Sequence, residues 1–291
     1  MINNPISGKW YADPEARYYN GKYYIYVTQS FSEFDKQLNI DLMVSEDLEH
    51  WENITNIVDM SGFPWVKRAV WAPTVIEKNG KYYMIFASND IHSDLEGGGL
   101  ELAVADKPEG PFRAVLENSL VGEIINGAQP IDAHLFKDDD GTVYLYYGGW
   151  GHCNVTVMSD NMMDFIPFEN GEVFIEITPE GYVEGPCMLK KDGLYYFMWS
   201  SGNWTNDSYG VIYGISDTPV GPFEKKGVIL ESDPKIANGP GHNGYIVNNG
   251  KSLIVYHRRP LDAKEAGCRL LCIDKFSVHE GIIDPVKMTG I

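Results

Sequence analysis

The sequence contains little cysteine. It has four cysteines among 291 residues, and Cys153, Cys187, Cys268 and Cys272 do not have the spacing of a zinc site. On a single strand, Cys268 and Cys272 would lie roughly 13 Å apart at about 3.3 Å per residue, which is too far for a mutual disulfide. We therefore expect free, reduced thiols, as in a cytoplasmic protein.

Basic residues are also scarce. The chain has 23 lysines and arginines against 41 aspartates and glutamates, which gives a formal net charge of -18. Nucleic acids and anionic membranes bind clustered lysine and arginine, so we expect neither as a partner. No apolar run reaches membrane-spanning length, and the start MINNPISGKW lacks the basic and apolar segments of a secretory signal. The expected location is cytoplasmic, or periplasmic or secreted if a signal peptide was trimmed.

Aromatic residues and tight-turn signals are abundant. Aromatics make up 13% of the chain and hydrophobic residues 44%, which is enough for a folded interior. An apolar strand, an Asn-Gly or Asp-Gly turn and a second strand recur in five segments. This order is typical of β-hairpins, because these dipeptides tolerate positive φ angles. The segments are ADPEARYYNGKYYIYV, WAPTVIEKNGKYYMIF, IDAHLFKDDDGTVYLYY, VEGPCMLKKDGLYYFMW and GHNGYIVNNGKSLIVYH.

The spacing of the five turns predicts the architecture. The turn glycines are Gly21, Gly80, Gly141, Gly193 and Gly250, so successive hairpins lie 59, 61, 52 and 57 residues apart. Each interval has room for four strands. We predict an all-β fold, a five-bladed β-propeller formed by one domain over residues 1–291. The alternative is a β-sandwich that reuses Asn-Gly hairpins, although sandwich strands seldom recur with one internal motif.

Carboxylates occupy matched places in the repeat. Counting back eight or nine residues from each turn glycine gives Asp13, Ala72, Asp132, Glu184 and His242. The innermost strands of a propeller line its central channel, so these side chains should converge there. The three acids have small, apolar or proline neighbours, unlike solvated acids. They could cap strands or bind a structural cation, but paired carboxylates near aromatic side chains are also what glycoside hydrolysis requires.

Taken in order and spacing, these motifs resemble glycoside hydrolase family 43. The resemblance runs from Ala12 to about Asp274 and implies a five-bladed propeller that releases or cuts arabinose and xylose units with inversion at the anomeric carbon. The motifs that carry it are ADP at Asp13, WAP at Trp71, ID at Asp132, EGP at Glu184, GHN at His242 and RLLCID from Arg269.

The resemblance implies a role for each acid. Asp13 would be the general base that activates water, and Glu184 the general acid. Asp132 would hold that acid in place and raise its pKa. In an inverting enzyme the base and acid carboxyls should be roughly 6.5–9.5 Å apart, which leaves space for water.

Several further residues are candidates for binding the substrate. The resemblance implies that Arg269 contacts the sugar, although it could instead pair with a channel carboxylate for stability. Trp71 could stack on a sugar face or pack between blades. Phe31, Trp150 and Trp204 follow inner hairpins, where loops should border the pocket.

The histidines lead to the only cofactor expectation. The resemblance implies that His242 lies near a bound water or a structural calcium or sodium ion, and a hydrogen-bonded core histidine is the alternative. No cofactor is expected for the chemistry itself. His134, His152 and His257 are expected to support the site or the fold.

The expected function is removal of terminal α-L-arabinofuranose, or xylose, from plant-type oligosaccharides and polysaccharides. The loops KRAVWAP and SNDIHSDLEGGGLE are long enough to close one end of the channel, which favours exo action. Within the family, β-xylosidase, β-galactofuranosidase and endo-arabinanase or xylanase are alternatives. A propeller that only binds carbohydrate or protein is the alternative of another class. The oligomeric state stays open.

Overall fold

The computed structural model describes residues 3–248 and 250–290, so Asn249 of the fifth predicted turn lies outside the described residues. Antiparallel sheets form the blades of a propeller, as predicted. The first blade contains β1 (Tyr11–Tyr19), β2 (Lys22–Gln29), β3 (Ile40–Ser45) and β4 (Glu52–Ile54), in that order. Short 3-10 turns are found at Phe34–Lys36 and Met60–Gly62.

The second blade has five strands, because β5 (Val58–Asp59) adds to its outer edge in parallel to β9. Its other strands are β6 (Trp71–Lys78), β7 (Lys81–Ser88), β8 (Gly99–Ala105) and β9 (Phe112–Ala114). The third blade contains β10 (His134–Lys137), β11 (Val143–Tyr147), β12 (Asn154–Met158), β13 (Phe165–Ile166) and β14 (Ile175–Glu176).

The fourth blade consists of β15 (Glu184–Lys191), β16 (Leu194–Ser201), β17 (Gly210–Ser216) and β18 (Glu224–Leu230). The fifth consists of β19 (Asn238–Asn248), β20 (Lys251–Arg259) and β21 (Leu270–Lys275). The short hairpin β22 (Val278–His279) and β23 (Ile282–Ile283) follows.

The fifth blade differs from the predicted four strands, because its described sheet has three. The N-terminal segment runs along β21 instead. Ile6 N donates a hydrogen bond to Leu271 O at 3.0 Å, and Ile273 N donates one to Asn4 Oδ1 at 2.8 Å. The start of the chain thus covers a strand edge that would otherwise be open.

The predicted hairpins are β1–β2, β6–β7, β10–β11, β15–β16 and β19–β20. Asn20 and Gly21 have φ angles of 50° and 87°, the positive values that a two-residue hairpin turn needs. In each blade, the first strand of the hairpin is the innermost one.

Five apolar clusters join neighbouring blades and close the ring. Tyr26 packs with Phe86 between the first and second blades, and Ile25 packs with Val255 between the first and fifth. Equivalent clusters join the second to the third, the third to the fourth and the fourth to the fifth. Burial of each large side chain contributes about 1.5–3 kcal/mol, so every interface between blades helps to hold the innermost strands around the channel.

The four cysteines are free, as predicted. Cys268 precedes β21 instead of lying on it, so the expectation that it shares a strand with Cys272 is wrong. In the part of the chain that the structure describes, no helix is long and apolar enough to span a membrane.

Candidate active site

A shared irregularity of the innermost strands positions the acids. In β1 the pairing passes from Ala12–Thr28 to Glu15–Tyr26, which leaves one extra residue on the inner strand. Such β-bulges also occur in β6, β15 and β19. Asp13 in this bulge has a φ of 51°. The equivalent residues with positive φ are Ala72 (46°), Gly185 (63°) and His242 (46°), and Asp132 (57°) takes the same conformation before β10.

Neighbouring blades hold these bulges. A non-glycine residue at positive φ costs on the order of 1–3 kcal/mol and persists where its surroundings fix it. Here the peptide N–H of the bulge donates a hydrogen bond to a side chain of the preceding blade. The pairs are Asp13 with His257 Nδ1 (3.2 Å), Ala72 with Thr28 Oγ1 (2.8 Å) and His242 with Ser200 Oγ (2.9 Å).

Glu184 is one residue away from its predicted place in the register. The residue in the bulge of β15 is Gly185, and Glu184 precedes it, in the place that Trp71 has in β6. The bulge lies eight residues before the turn glycine in four hairpins. The count is nine for Asp132 alone, because the turn of the third hairpin is longer. Counting nine for Glu184 was therefore wrong.

The three acids line a cavity of about 250 Å³. Clefts for drug-sized ligands are typically about 300–1,000 Å³, so this cavity suits a smaller molecule, such as one sugar unit. Trp71, Trp150, Trp204, His242 and Arg269 of the predicted set also line it. The wall is completed by five residues that were not predicted from the sequence: Phe34, Gln37, Asp90, Gln129 and Ile131.

Cationic and imidazole groups surround Asp13. Arg269 Nη1 donates to Asp13 Oδ1 at 3.1 Å, and the Nδ1 atoms of His257 and His242 lie 3.4 and 3.6 Å from the same oxygen. Burial alone would raise the pKa of Asp13, but Arg269 and the two histidines outweigh it and lower that pKa to about 2. Asp13 is therefore a carboxylate at neutral pH.

Arg269 pairs with a channel carboxylate, Asp13, which is one of the two alternatives from the sequence. It also lines the cavity, and its contact with the sugar stays a prediction. Arg269 Nε donates to Ser30 Oγ at 2.9 Å, and the guanidinium lies 5.4 Å from the ring centroid of Trp204. These contacts fix a positive charge against one side of the cavity.

Glu184 has neutral and acidic neighbours. The Tyr209 hydroxyl donates to Glu184 Oε1 at 2.7 Å. The side chain is partly open to the cavity, but protein surrounds it otherwise. Burial raises the pKa of Glu184, the negative charge of Asp13 raises it further, and Tyr209 and Arg269 oppose these effects without cancelling them. Glu184 therefore keeps its proton to a higher pH than an ordinary glutamate.

Asp132 connects the acids to the innermost strand of the fourth blade. Its Oδ2 accepts a hydrogen bond from the peptide N–H of Gly185, the residue after Glu184, at 3.1 Å. Burial, together with the negative charges of Glu184 and Asp13, raises the pKa of Asp132 well above its usual range. The site thus combines one acid whose pKa is lowered with two whose pKa values are raised.

Comparison with known proteins identifies the family. The family model for "Glycosyl hydrolases family 43" matches residues 2–283. The chain belongs to this family. It is similar to "Beta-D-galactofuranosidase xynD" of Aspergillus niger, with 40% identity over 98% of this chain and 85% of that protein. It is also 29% identical to a "Beta-xylosidase" of Xylanibacter ruminicola, over 84% of this chain and 86% of that protein.

Solved structures agree with the family assignment. A "novel alpha-L-arabinofuranosidase" from Clostridium thermocellum is 27% identical and superposes with a TM-score of 0.79 over 97% of this chain and 95% of that one. The protein is a family 43 glycoside hydrolase with the predicted propeller fold. Family membership favours catalysis over the alternative of a propeller that only binds.

His242 lies between two of the acids that line the cavity. Its Nδ1 is 3.6 Å from Asp13 Oδ1 and 3.4 Å from Asp132 Oδ2. Burial lowers the pKa of His242, which favours a neutral ring. Among the described residues, no group of three or more histidine, cysteine, aspartate or glutamate side chains is placed to hold a metal ion. The contacts of His242 thus fit a ring between two carboxyls, and its contact with an ion stays a prediction.

The other predicted residues lie at different depths. His257 is buried against Tyr209, and His134 is buried with its Nδ1 3.6 Å from Glu15 Oε2. His152 pairs with Glu176 at the surface. These positions agree with supporting roles.

The predicted aromatic residues do not all reach the cavity. Phe31 is 47% exposed and does not line it. Phe34 lies on the same loop and contacts the Trp71 ring edge-on, with centroids 4.8 Å apart. Trp150 is at the rim, beside the ring of His92. Substrate binding by Phe31 stays a prediction, and Phe34 is the better-placed phenylalanine.

The residues that were not predicted from the sequence come from three kinds of place. Gln129 and Ile131 lie in the segment before β10. Phe34, Gln37 and Asp90 follow the second strand of a hairpin, the same rule that indicated Trp150, so a wider search of those loops could have found them. Tyr209 precedes β17, a third strand, and no local signal distinguishes it from core tyrosines.

Proposed function

We propose that this family 43 enzyme is an exo-acting, inverting glycosidase that removes a terminal furanose unit. Asp13 would be the general base and Glu184 the general acid. The observation that carries this proposal is the opposite shift of their pKa values within one small cavity. A base must be ionised and an acid protonated at the same pH, and such opposite environments make this possible.

The proposed reaction is a single displacement. Asp13 takes a proton from water while the water oxygen forms a bond to the anomeric carbon. Glu184 gives its proton to the glycosidic oxygen while the bond from that oxygen to the anomeric carbon breaks. Asp132 would keep Glu184 oriented through the peptide of Gly185.

The size of the cavity supports exo action. Its volume suits one sugar unit, and residues of two predicted walls, Trp71 and Asp90, line it. An endo enzyme needs an open groove that accommodates sugars on both sides of the cleaved bond.

Two sugars are the best candidates. β-D-Galactofuranose is the first, because the Aspergillus niger relative with 40% identity is named a β-D-galactofuranosidase. α-L-Arabinofuranose is the second, because it has the same ring configuration without the terminal CH₂OH group, and the Clostridium thermocellum structure is named an α-L-arabinofuranosidase.

Nitrophenyl glycosides provide the test. We expect hydrolysis of the β-D-galactofuranoside and the α-L-arabinofuranoside to exceed that of the β-D-xyloside. Asp13→Asn should lower kcat/KM on these furanosides by about 10²–10⁴-fold, the usual contribution of general acid–base catalysis. Glu184→Gln should have an effect of this size on the corresponding methyl furanoside, whose leaving group depends on the acid, and a smaller one on the nitrophenyl furanosides. Asp139→Asn, at an exposed hairpin tip, is the control and should leave kcat/KM unchanged.

Proton NMR of the first product anomer tests the stereochemistry. Inversion should give the opposite anomer to that of the substrate, before mutarotation. A product of retained configuration, or full activity in both acid variants, would contradict the proposal.

A further inference from the structure

Tyr209 contacts the proposed acid but belongs to none of the motifs. It precedes β17, is 1% exposed, and its hydroxyl donates to Glu184 Oε1 at 2.7 Å. Burial raises the pKa of Tyr209 well above its usual value, and the charge of Glu184 raises it further. The phenol therefore remains a proton donor at any pH at which the enzyme works.

The fifth blade holds the Tyr209 ring in place. The ring lies parallel to the His257 imidazole, with centroids 5.9 Å apart and planes 10° apart. Gly241 lies against the ring, and a Cβ there would come within 2.0 Å of it. The Tyr209 side chain therefore has one well-defined position.

The same contacts connect the two proposed catalytic residues. His257 Nδ1 accepts a hydrogen bond from the peptide N–H of Asp13 at 3.2 Å. The ring of the same histidine lies parallel to the Tyr209 ring. Glu184, Tyr209, His257 and Asp13 thus form a continuous chain of contacts through the fourth, fifth and first blades. A fixed distance between acid and base is what a single displacement by water needs.

We propose that Tyr209 is a positioning residue that fixes which oxygen of Glu184 carries the transferable proton. This rests on the proposed function. The Tyr209 O–H occupies Oε1 as a hydrogen-bond donor, so the acidic proton lies on Oε2 and passes from there to the glycosidic oxygen. The carboxylate that remains keeps the hydrogen bond from Tyr209.

Tyr209→Phe tests this role, because it removes one hydroxyl and retains the ring against His257 and Gly241. A hydrogen bond to a carboxylate favours its ionised form, so the loss of this bond should raise the pKa of Glu184. The alkaline limb of the kcat/KM profile should therefore move up by about one pH unit.

The leaving group gives a second readout. A nitrophenyl leaving group needs little protonation, whereas a methyl furanoside depends on the acid. We expect kcat/KM of Tyr209→Phe to fall about tenfold on the methyl furanoside and much less on the nitrophenyl furanoside. A merely structural role would lower both equally and leave the alkaline limb in place.

Tyr213→Phe is the matched control. Tyr213 is a buried tyrosine on β17 whose hydroxyl accepts the Ile283 N–H at 3.1 Å, away from Glu184. This variant should keep the wild-type pH profile and the wild-type ratio of rates on the two furanosides.

A titration separates failure of this inference from failure of the proposed function. With ¹³C-carboxyl-labelled glutamate, the Glu184 signal is identified by its loss in Glu184→Gln, and it can be titrated without any substrate. A higher Glu184 pKa in Tyr209→Phe than in the wild type supports the inference even if no furanoside is cleaved. An unchanged pKa overturns it even if the enzyme is an active furanosidase.

Discussion

Asp13 and Glu184 face the same cavity from surroundings of opposite electrical character. Around Asp13, Arg269 and two imidazoles outweigh burial and lower its pKa to about 2. Around Glu184, burial and the negative charge of Asp13 outweigh the hydrogen bond from Tyr209 and the charge of Arg269, and its pKa rises. Two carboxyl groups acquire complementary protonation states from their neighbours alone.

The difference between these surroundings arises from the positions of Asp13 and Glu184 in the repeat. Asp13 occupies the bulge of its inner strand, and its peptide N–H is hydrogen-bonded to His257 of the preceding blade. Glu184 lies one residue before the bulge, where Trp71 lies in the second blade. The same strand geometry therefore places carboxyl groups at two adjacent positions of the repeat. The positively charged side of the cavity lies close to only one of these two carboxyl groups.

Removal of Arg269 should have the largest effect on the difference between the two acids. Arg269→Gln should reduce kcat/KM roughly 10- to 150-fold, the effect of losing a hydrogen bond to a charged group worth about 1.5–3 kcal/mol. Asp13 must be ionised to act as a base, and without the guanidinium its pKa rises. The acidic limb of the pH profile should therefore move to higher pH.

Arg269→Lys is the control for charge alone. It keeps a cation near Asp13 but loses the donor to Ser30. We expect the acidic limb to return most of the way to the wild-type position. An acidic limb that is the same in wild type and Arg269→Gln would show that Arg269 does not control the ionisation of Asp13.

Asp132→Asn tests the other side of the comparison, with a smaller effect. It keeps an oxygen that can accept the Gly185 N–H and replaces a carboxyl whose raised pKa keeps it protonated with a neutral amide. The alkaline limb should therefore stay near its wild-type position, while kcat/KM should fall about tenfold, because a weakened hydrogen bond at Gly185 alters the orientation of Glu184. Asp139→Asn is again the control, and a shifted alkaline limb in Asp132→Asn would contradict a role of Asp132 in orientation alone.

The fold was predictable because its signals are local. Asn-Gly and Asp-Gly turns specify hairpins within about sixteen residues, and their regular spacing indicates radial repetition. Closure of the fifth blade was not predictable in this way. It depends on Asn4 and Ile6 meeting β21 at the other end of the chain, a contact that no local pattern encodes.

The site was predictable where the repeat controls it. Asp13 and Asp132 line the cavity as the register predicts, and Glu184 lines it too, although its predicted place relative to the bulge was wrong. The contacts that set the protonation of these acids come from elsewhere. Tyr209 precedes a third strand and Gln129 precedes the inner strand of the third blade, and their orientation depends on how the blades pack.

Asp90 gives the smallest expected effect, and this effect depends on the sugar. Asp90 lines the cavity, and Gln129 Nε2 donates to its Oδ1 at 2.9 Å, while Oδ2 lies 3.4 Å from His92 Nε2. A carboxyl has about four acceptor sites, so Asp90 can also accept hydrogen bonds from sugar hydroxyls. Galactofuranose has an exocyclic diol that arabinofuranose lacks.

Asp90→Ala should therefore lower kcat/KM more on the galactofuranoside than on the arabinofuranoside, by about three- to tenfold, the effect of one hydrogen bond of about 0.5–1.5 kcal/mol. The ratio of the two rates is the measurement, because a general loss of activity cancels in it. Asp94→Ala, on the same loop but outside the cavity lining, is the control. An unchanged ratio in Asp90→Ala would show that Asp90 does not bind the exocyclic diol. The wall formed by Trp204 and Arg269 would then be the alternative place for this diol.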